Sequence, residues 1–134
     1  MTIVVGFVPT PEGRAALQRA MDESRLRGLP LVVVGSRQGG REFGDEEAAR
    51  FDEELAKVRA SLQAAGVTHE VRGLVRGNDP SEDVIAVAEE TGAELIVIGL
   101  RRRSPVGKLL LGSNAQRILL DARCAVVAVK AAAD

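Results

Sequence analysis

Hydrophobic residues along this chain follow two alternating spacings. Continuous apolar runs rich in β-branched residues occupy 3–8 (IVVGFV), 30–36 (PLVVVGS) and 94–98 (ELIVI), the composition of strands buried on both faces of a parallel sheet. Between them apolar positions recur at helical spacing. Leu17, Ala20, Met21 and Ser24 follow Thr10-Pro11, an N-cap residue with proline at the first helical position, and Gly28 is placed to end that helix. A longer helix beginning at Asp45 carries Phe51, Leu55, Val58, Leu62 and Ala65 on one stripe and closes at Gly66. Residues 67–75 read as a weaker strand near a sheet edge, because His69 and Glu70 interrupt the apolar pattern. Asp79-Pro80-Ser81-Glu82 reads as a capping box opening a helix that buries Val84, Val87 and Ala88 and stops at Gly92. Ser113-Asn114-Ala115-Gln116 repeats the capping-box pattern before a helix through Leu120, and 122–130 (ARCAVVAVK) supply the last strand. Residues 37–44 form a polar, glycine-containing stretch expected to be a mobile loop.

Strand and helix therefore alternate from end to end, which predicts an α/β fold: a single-domain, doubly wound, parallel five-stranded sheet with helices on both faces. A length of 134 residues fits one domain with one good core. In such sheets ligands bind beyond the carboxyl ends of the strands, where the strand order reverses.

Charge narrows the function classes. The net charge of -1 excludes the global basic excess of a nucleic-acid binder. Asp45, Glu46, Glu47, Asp52, Glu53 and Glu54 crowd one segment and read as a solvated helix face. A lone cysteine, Cys124, fits a reducing compartment and reads as a small buried hydrophobe. No secretory signal precedes Ile3, and no apolar run approaches the ~20 residues of a membrane span. A cytoplasmic location without membrane or nucleic-acid partners is expected.

Against this background one stretch stands out. Connections in α/β units usually take roughly 2 to 6 residues. Here the strand at 94–98 ends at Gly99 and the next helix start is Ser113, with Arg101, Arg102, Arg103 and Lys108 between them. A cationic, glycine-bounded loop running into a helix N-terminus reads as a phosphate-binding arrangement, since the helix end offers unpaired N–H groups and the positive end of the backbone dipole, the alternative being turn glycines with solubilising arginines. It is not a Walker A loop: Gly107-Lys108 matches the Gly-Lys pair, but Arg102 holds the first glycine position and Leu109 the hydroxyl position. Nor does a dinucleotide fingerprint follow the first strand, where Gly6 stands alone. His69 has no Asp, Ser or Cys near it in sequence and reads as an exposed structural histidine, and no metal-ligand spacing is present.

These motifs resemble the universal stress protein family, and the resemblance spans almost the whole chain. Members that bind ATP carry Gly, two residues, Gly, nine residues, Gly and Ser or Thr after the fourth strand. Here Gly99, Leu100-Arg101, Arg102, nine residues, Gly112 and Ser113 match with one glycine replaced. The phrases VRGNDPSEDVIAVAEETGAELIVIG and LLLGSNAQRILLDARCAVVAV are similar to the family's third helix, fourth strand and final strand. The resemblance implies strand order 3-2-1-4-5 and an adenine nucleotide, ATP or AMP, lying between the loops after the first and fourth strands, with magnesium only as a companion of the nucleotide. It places Gly6 at the adenine or ribose, Ser36 beside the base, Ile98 and Gly99 on the ribose side, and Gly112, Ser113, Asn114 and Ala115 on phosphate oxygens, with Arg101 and Arg102 nearby. Val8 stands where the family usually has an Asp contacting the nucleoside, followed by Pro9 where glycine is common. Arg102 either clamps a phosphate bidentately or fills the pocket. The resemblance also implies a homodimer through the strand at 124–130, whose Val126, Val127 and Val129 make a sticky edge, although Arg123 and Lys130 offer that edge protection. The implied role is a stress-response sensor or regulator with at most slow ATP hydrolysis. The competing readings are a non-nucleotide interaction module whose pocket Val8 and Arg102 have closed, and an enzyme acting on a phosphorylated small molecule.

Overall fold

A computed structural model describes residues 1–37, 44–75, 79–100 and 111–131. Along the chain the elements are β1 (Thr2–Phe7), α1 (Pro11–Arg27), β2 (Leu31–Arg37), α2 (Asp45–Ala64), β3 (His69–Val75), α3 (Pro80–Thr91), β4 (Ala93–Leu100), α4 (Ser113–Asp121) and β5 (Ala125–Lys130). Neighbouring strands are parallel, and the sheet order is β3-β2-β1-β4-β5.

Side-chain alternation explains the continuous apolar runs. Ile3, Val5, Leu31, Val33, Leu95 and Val97 point to the face covered by α1 and α2, while Val4, Val32, Val34, Ile96 and Ile98 point to the face covered by α3 and α4. Each fully buried aliphatic side chain contributes about 1.5–3 kcal/mol relative to exposure. On the α2 side, Gly35 and Gly73 sit opposite each other in the β2–β3 register, and a Cβ on either would come within 2.8 and 2.6 Å of Leu55. Their missing side chains are the seat into which Leu55 packs.

The helix ends follow the expected chemistry only in part. Thr10 caps α1 by accepting from the Gly13 N–H at 3.1 Å, and Gly28, Gly66 and Gly92 take positive φ at or just past the helix ends. Neither anticipated capping box forms. The Asp79 side chain makes no cap hydrogen bond, because the Glu82 N–H donates to the Asp79 carbonyl at 3.0 Å and the Glu82 carboxylate reaches Arg117 of α4 at 3.1 Å. The N-cap of α4 is Gly112, whose carbonyl accepts from the Gln116 N–H at 3.0 Å, so Ser113 is the first helical residue rather than the cap.

Strand ends also shift. β1 stops at Phe7 and leaves Val8 outside the sheet, whereas β4 extends to Leu100 because Gly99 and Leu100 pair with Val129 and Lys130. β5 starts at Ala125, leaving Cys124 half-buried in the preceding turn. As expected, β3 and β5 are the sheet edges. Most of the expected 37–44 loop lies outside the described residues.

Candidate functional site

In a parallel sheet with one helix after each strand, every helix begins at the same edge, beyond the carboxyl ends of the strands. β1 and β4 are neighbours at the point where the order reverses, because α1 and α2 cover one face and α3 and α4 the other. A cleft of about 300 Å³ opens there. Open α/β sheets characteristically bind ligands at such a crevice.

The structure gathers nine of the sequence-designated residues on this one cleft. Gly6 and Val8 come from the end of β1, Ser36 from β2, Ile98 and Gly99 from β4, and Gly112, Ser113, Asn114 and Ala115 from the start of α4. Arg101 and Arg102, with the other cations of the loop, lie outside the described residues.

Three helix N-termini meet at the cleft: α1 through Thr10 and Glu12, α3 through Pro80 and Ser81, and α4 through Gly112 to Ala115. Each presents N–H groups and the positive dipole end to the same small volume. The N-cap residue closes the α1 end through its side chain, and the N-cap residues of α3 and α4 make no such bond. Asn114 ties two of the ends together, its Oδ1 accepting from the Ser81 N–H at 3.3 Å. That side-chain oxygen is thereby occupied, which leaves the backbone of α4 to face the cleft.

The glycines have different reasons. At Gly99 an added Cβ would lie 2.4 Å from the Glu12 carbonyl oxygen, so its missing side chain is what lets α1 pack against the end of β4. At Gly112 an added Cβ would meet nothing within 4 Å among the described residues, and its φ of -68° suits any residue. Among the described residues nothing requires a glycine there.

The walls and floor are largely apolar, from Val34, Val84, Ile98 and Ile118. Val8 is 43% exposed on the rim. Glu12 is the acidic side chain among the described lining residues. Behind the floor the Ser36 hydroxyl donates to Oδ2 of Asp83, a carboxylate on the first turns of α3 that is only 2% exposed. Sequence reading passed over Thr10, Pro80, Ser81, Val84, Ile118 and Asp83. The signal for Pro80 and Ser81 was available: they open a helix that follows a parallel strand, and all such helices start at the ligand edge.

A larger hollow of about 750 Å³ lies under α2, lined by Phe7, Pro9, Phe51 and charged residues of that helix. Glu54 there is paired with Arg14 at 4.0 Å and Lys57 at 3.5 Å, and among the described helices α2 alone lines it, so the smaller cleft, where three helix starts meet, has the better chemistry for an anion. The remaining candidates fall elsewhere. His69 is half-buried at the amino end of β3 with Nδ1 2.7 Å from the Val67 carbonyl oxygen. Burial pushes the Cys124 thiol up, which makes it a poor nucleophile at neutral pH.

Comparison with protein families matches residues 1–130 to the universal stress protein family. A universal stress protein of Mycolicibacterium smegmatis is 44% identical over 128 residues, covering 96% of both chains. This chain belongs to the universal stress protein family. Among solved structures, a universal stress protein of Archaeoglobus fulgidus superposes with a TM-score of 0.84 at 38% identity, covering 96% of this chain and 97% of that one. A second family structure from that organism, in complex with dAMP, has a TM-score of 0.79 at 33% identity, covering 96% of both chains. The doubly wound sheet with order β3-β2-β1-β4-β5 is thus the fold of the family's solved members as well. No helix among the described residues is long and apolar enough to cross a membrane.

Proposed function

We propose that this protein binds an adenine nucleotide, AMP or ATP, in the cleft between the carboxyl ends of β1 and β4, and acts as a cytoplasmic stress-response sensor or regulator. The observation that carries the reading is the convergence of three helix N-termini on one cleft, with the α4 end uncapped and its Gly112 backbone open to approach. Phosphate oxygens accept from the N–H groups of Gly112 to Ala115 and from the Ser113 hydroxyl. The base and ribose lie along Gly6, Ser36, Ile98 and Gly99. The dAMP complex of the 33% identical Archaeoglobus fulgidus protein supports an adenine nucleotide as the ligand class. A homodimer through β5 completes the assembly.

Isothermal titration with ATP, AMP and adenosine, with and without magnesium, tests this after mass spectrometry for co-purified nucleotide. Micromolar binding that depends on phosphate is the expected result. Absence of heat and of any carried-over ligand overturns it and favours the second reading, a dimeric interaction module. That reading rests on Val8, an exposed apolar side chain on the rim of the cleft, and on the negative charge of Glu12 beside it.

A further inference from the structure

Ser36 is the polar side chain of β2 on the cleft, and its hydroxyl hydrogen is committed. It donates to Oδ2 of Asp83, so what the oxygen has left for a ligand in the cleft is its capacity to accept. Asp83 is 2% exposed and held on α3, and no buried side-chain polar atom among the described residues lacks a partner. A buried carboxylate accepts and does not donate while ionised, so it sets the direction of the Ser36 hydroxyl instead of leaving it free to rotate.

On the cleft Ser36 is accompanied by the apolar side chains of Val34 and Val84 and by Gly6. A ligand acceptor brought against Ser36 finds no hydrogen to take and faces a lone pair, while a ligand N–H or O–H completes the chain to Asp83. Polar mismatch in such surroundings costs more than the matching bond contributes.

We infer that Asp83 is a positioning residue that makes Ser36 a fixed hydrogen-bond acceptor, so the cleft selects a ligand carrying a donor at that point. This rests on the adenine-nucleotide reading of the cleft. The donor is either the exocyclic amino group of the base or a ribose hydroxyl.

Titration of AMP, IMP and 2′,3′-dideoxy-AMP into the wild-type protein, Ser36→Ala and Asp83→Asn tests the inference. IMP replaces the amino donor with an oxo acceptor, and the dideoxy analogue removes the ribose donors. The wild type is expected to prefer AMP over one of the two by about tenfold. A penalty on IMP assigns the base amino group, and a penalty on the dideoxy analogue assigns the ribose. Ser36→Ala brings that ratio near one. Asp83→Asn also lowers it, because the amide can donate to Ser36 and release the hydroxyl hydrogen toward the ligand. Loss of packing alone would weaken all three ligands together and leave the ratios standing. Should Asp83→Asn fail to fold, Ser36→Ala still decides. Equal binding of the three ligands by the wild type, or a preference that survives in Ser36→Ala, overturns this inference while leaving nucleotide binding intact. Absence of binding by all three overturns both.

Discussion

At Gly99 and Gly112 the same residue type answers to different constraints, and substitutions separate them. Gly99→Ala drives a methyl to 2.4 Å from the Glu12 carbonyl oxygen, backbone that cannot swing aside as a side chain would. A loss of about 1–3 kcal/mol is expected, read as a lower denaturant midpoint. Gly112→Trp meets open space among the described residues and should keep the wild-type midpoint while abolishing the heat of AMP binding. A large drop in its midpoint would instead make Gly112 a structural glycine. Sequence showed both glycines as members of one motif, but which of them the fold requires depends on Glu12, a residue 87 positions from Gly99 by chain number that only packing brings near.

At the scale of elements, α1 is secured at both ends. Its start is capped by Thr10, and near its last turn Glu23 is gripped by Arg27 at 3.0 Å and Arg19 at 3.1 Å. Arg27 also reaches Glu94 at the start of β4 at 2.8 Å, which pins the helix to the sheet. Hydrogen bonds from Arg27 first, and from Arg19 next, hold the Glu23 carboxyl below the usual glutamate range. The folded state therefore binds fewer protons at Glu23 than the unfolded chain in mildly acid solution. Its contribution is present above the ordinary glutamate pKa and is lost as pH falls through the folded value. Thermal unfolding between about pH 6 and 3 should show a smaller acid-induced decline in Glu23→Gln than in wild type. An identical decline in both would remove Glu23 from the account. These i,i+4 pairs are visible in sequence, whereas the link to Glu94 is not, because it depends on where β4 lies in the sheet.

For the whole molecule, the unpaired side of β5 is the place where a second chain can add. Val126 packs on one face of the sheet and Val127 and Val129 on the other, which leaves Ala125 and Ala128 exposed along the strand. The proposed homodimer predicts a sedimenting mass of two chains at micromolar concentration. Ala128→Lys, at an exposed site in the isolated chain, should preserve the circular dichroism spectrum and reduce the mass to one chain by setting like charges against each other across the twofold. A wild-type protein that sediments as one chain sinks the dimer.

Local patterns in the sequence were sufficient for the nature and order of the elements. Apolar runs of strand length, helical stripes such as Leu55-Val58-Leu62, and the glycines at 28, 66 and 92 act through neighbours a few residues apart, so their physics is written in adjacent positions. They also sufficed to designate Gly6, Ser36, Ile98, Gly99 and Gly112 to Ala115 through the family resemblance. Tertiary structure alone decided three further things: that the cap of α4 is Gly112 and not Ser113, that Asp83 stands behind Ser36, and that the starts of α1 and α3 share a cleft with α4. The last two depend on groups far apart in the chain meeting across the sheet, and the cap on the backbone conformation that Gly112 takes where α4 begins. Burial then determines which polar atoms must find partners, and therefore which way a hydroxyl points.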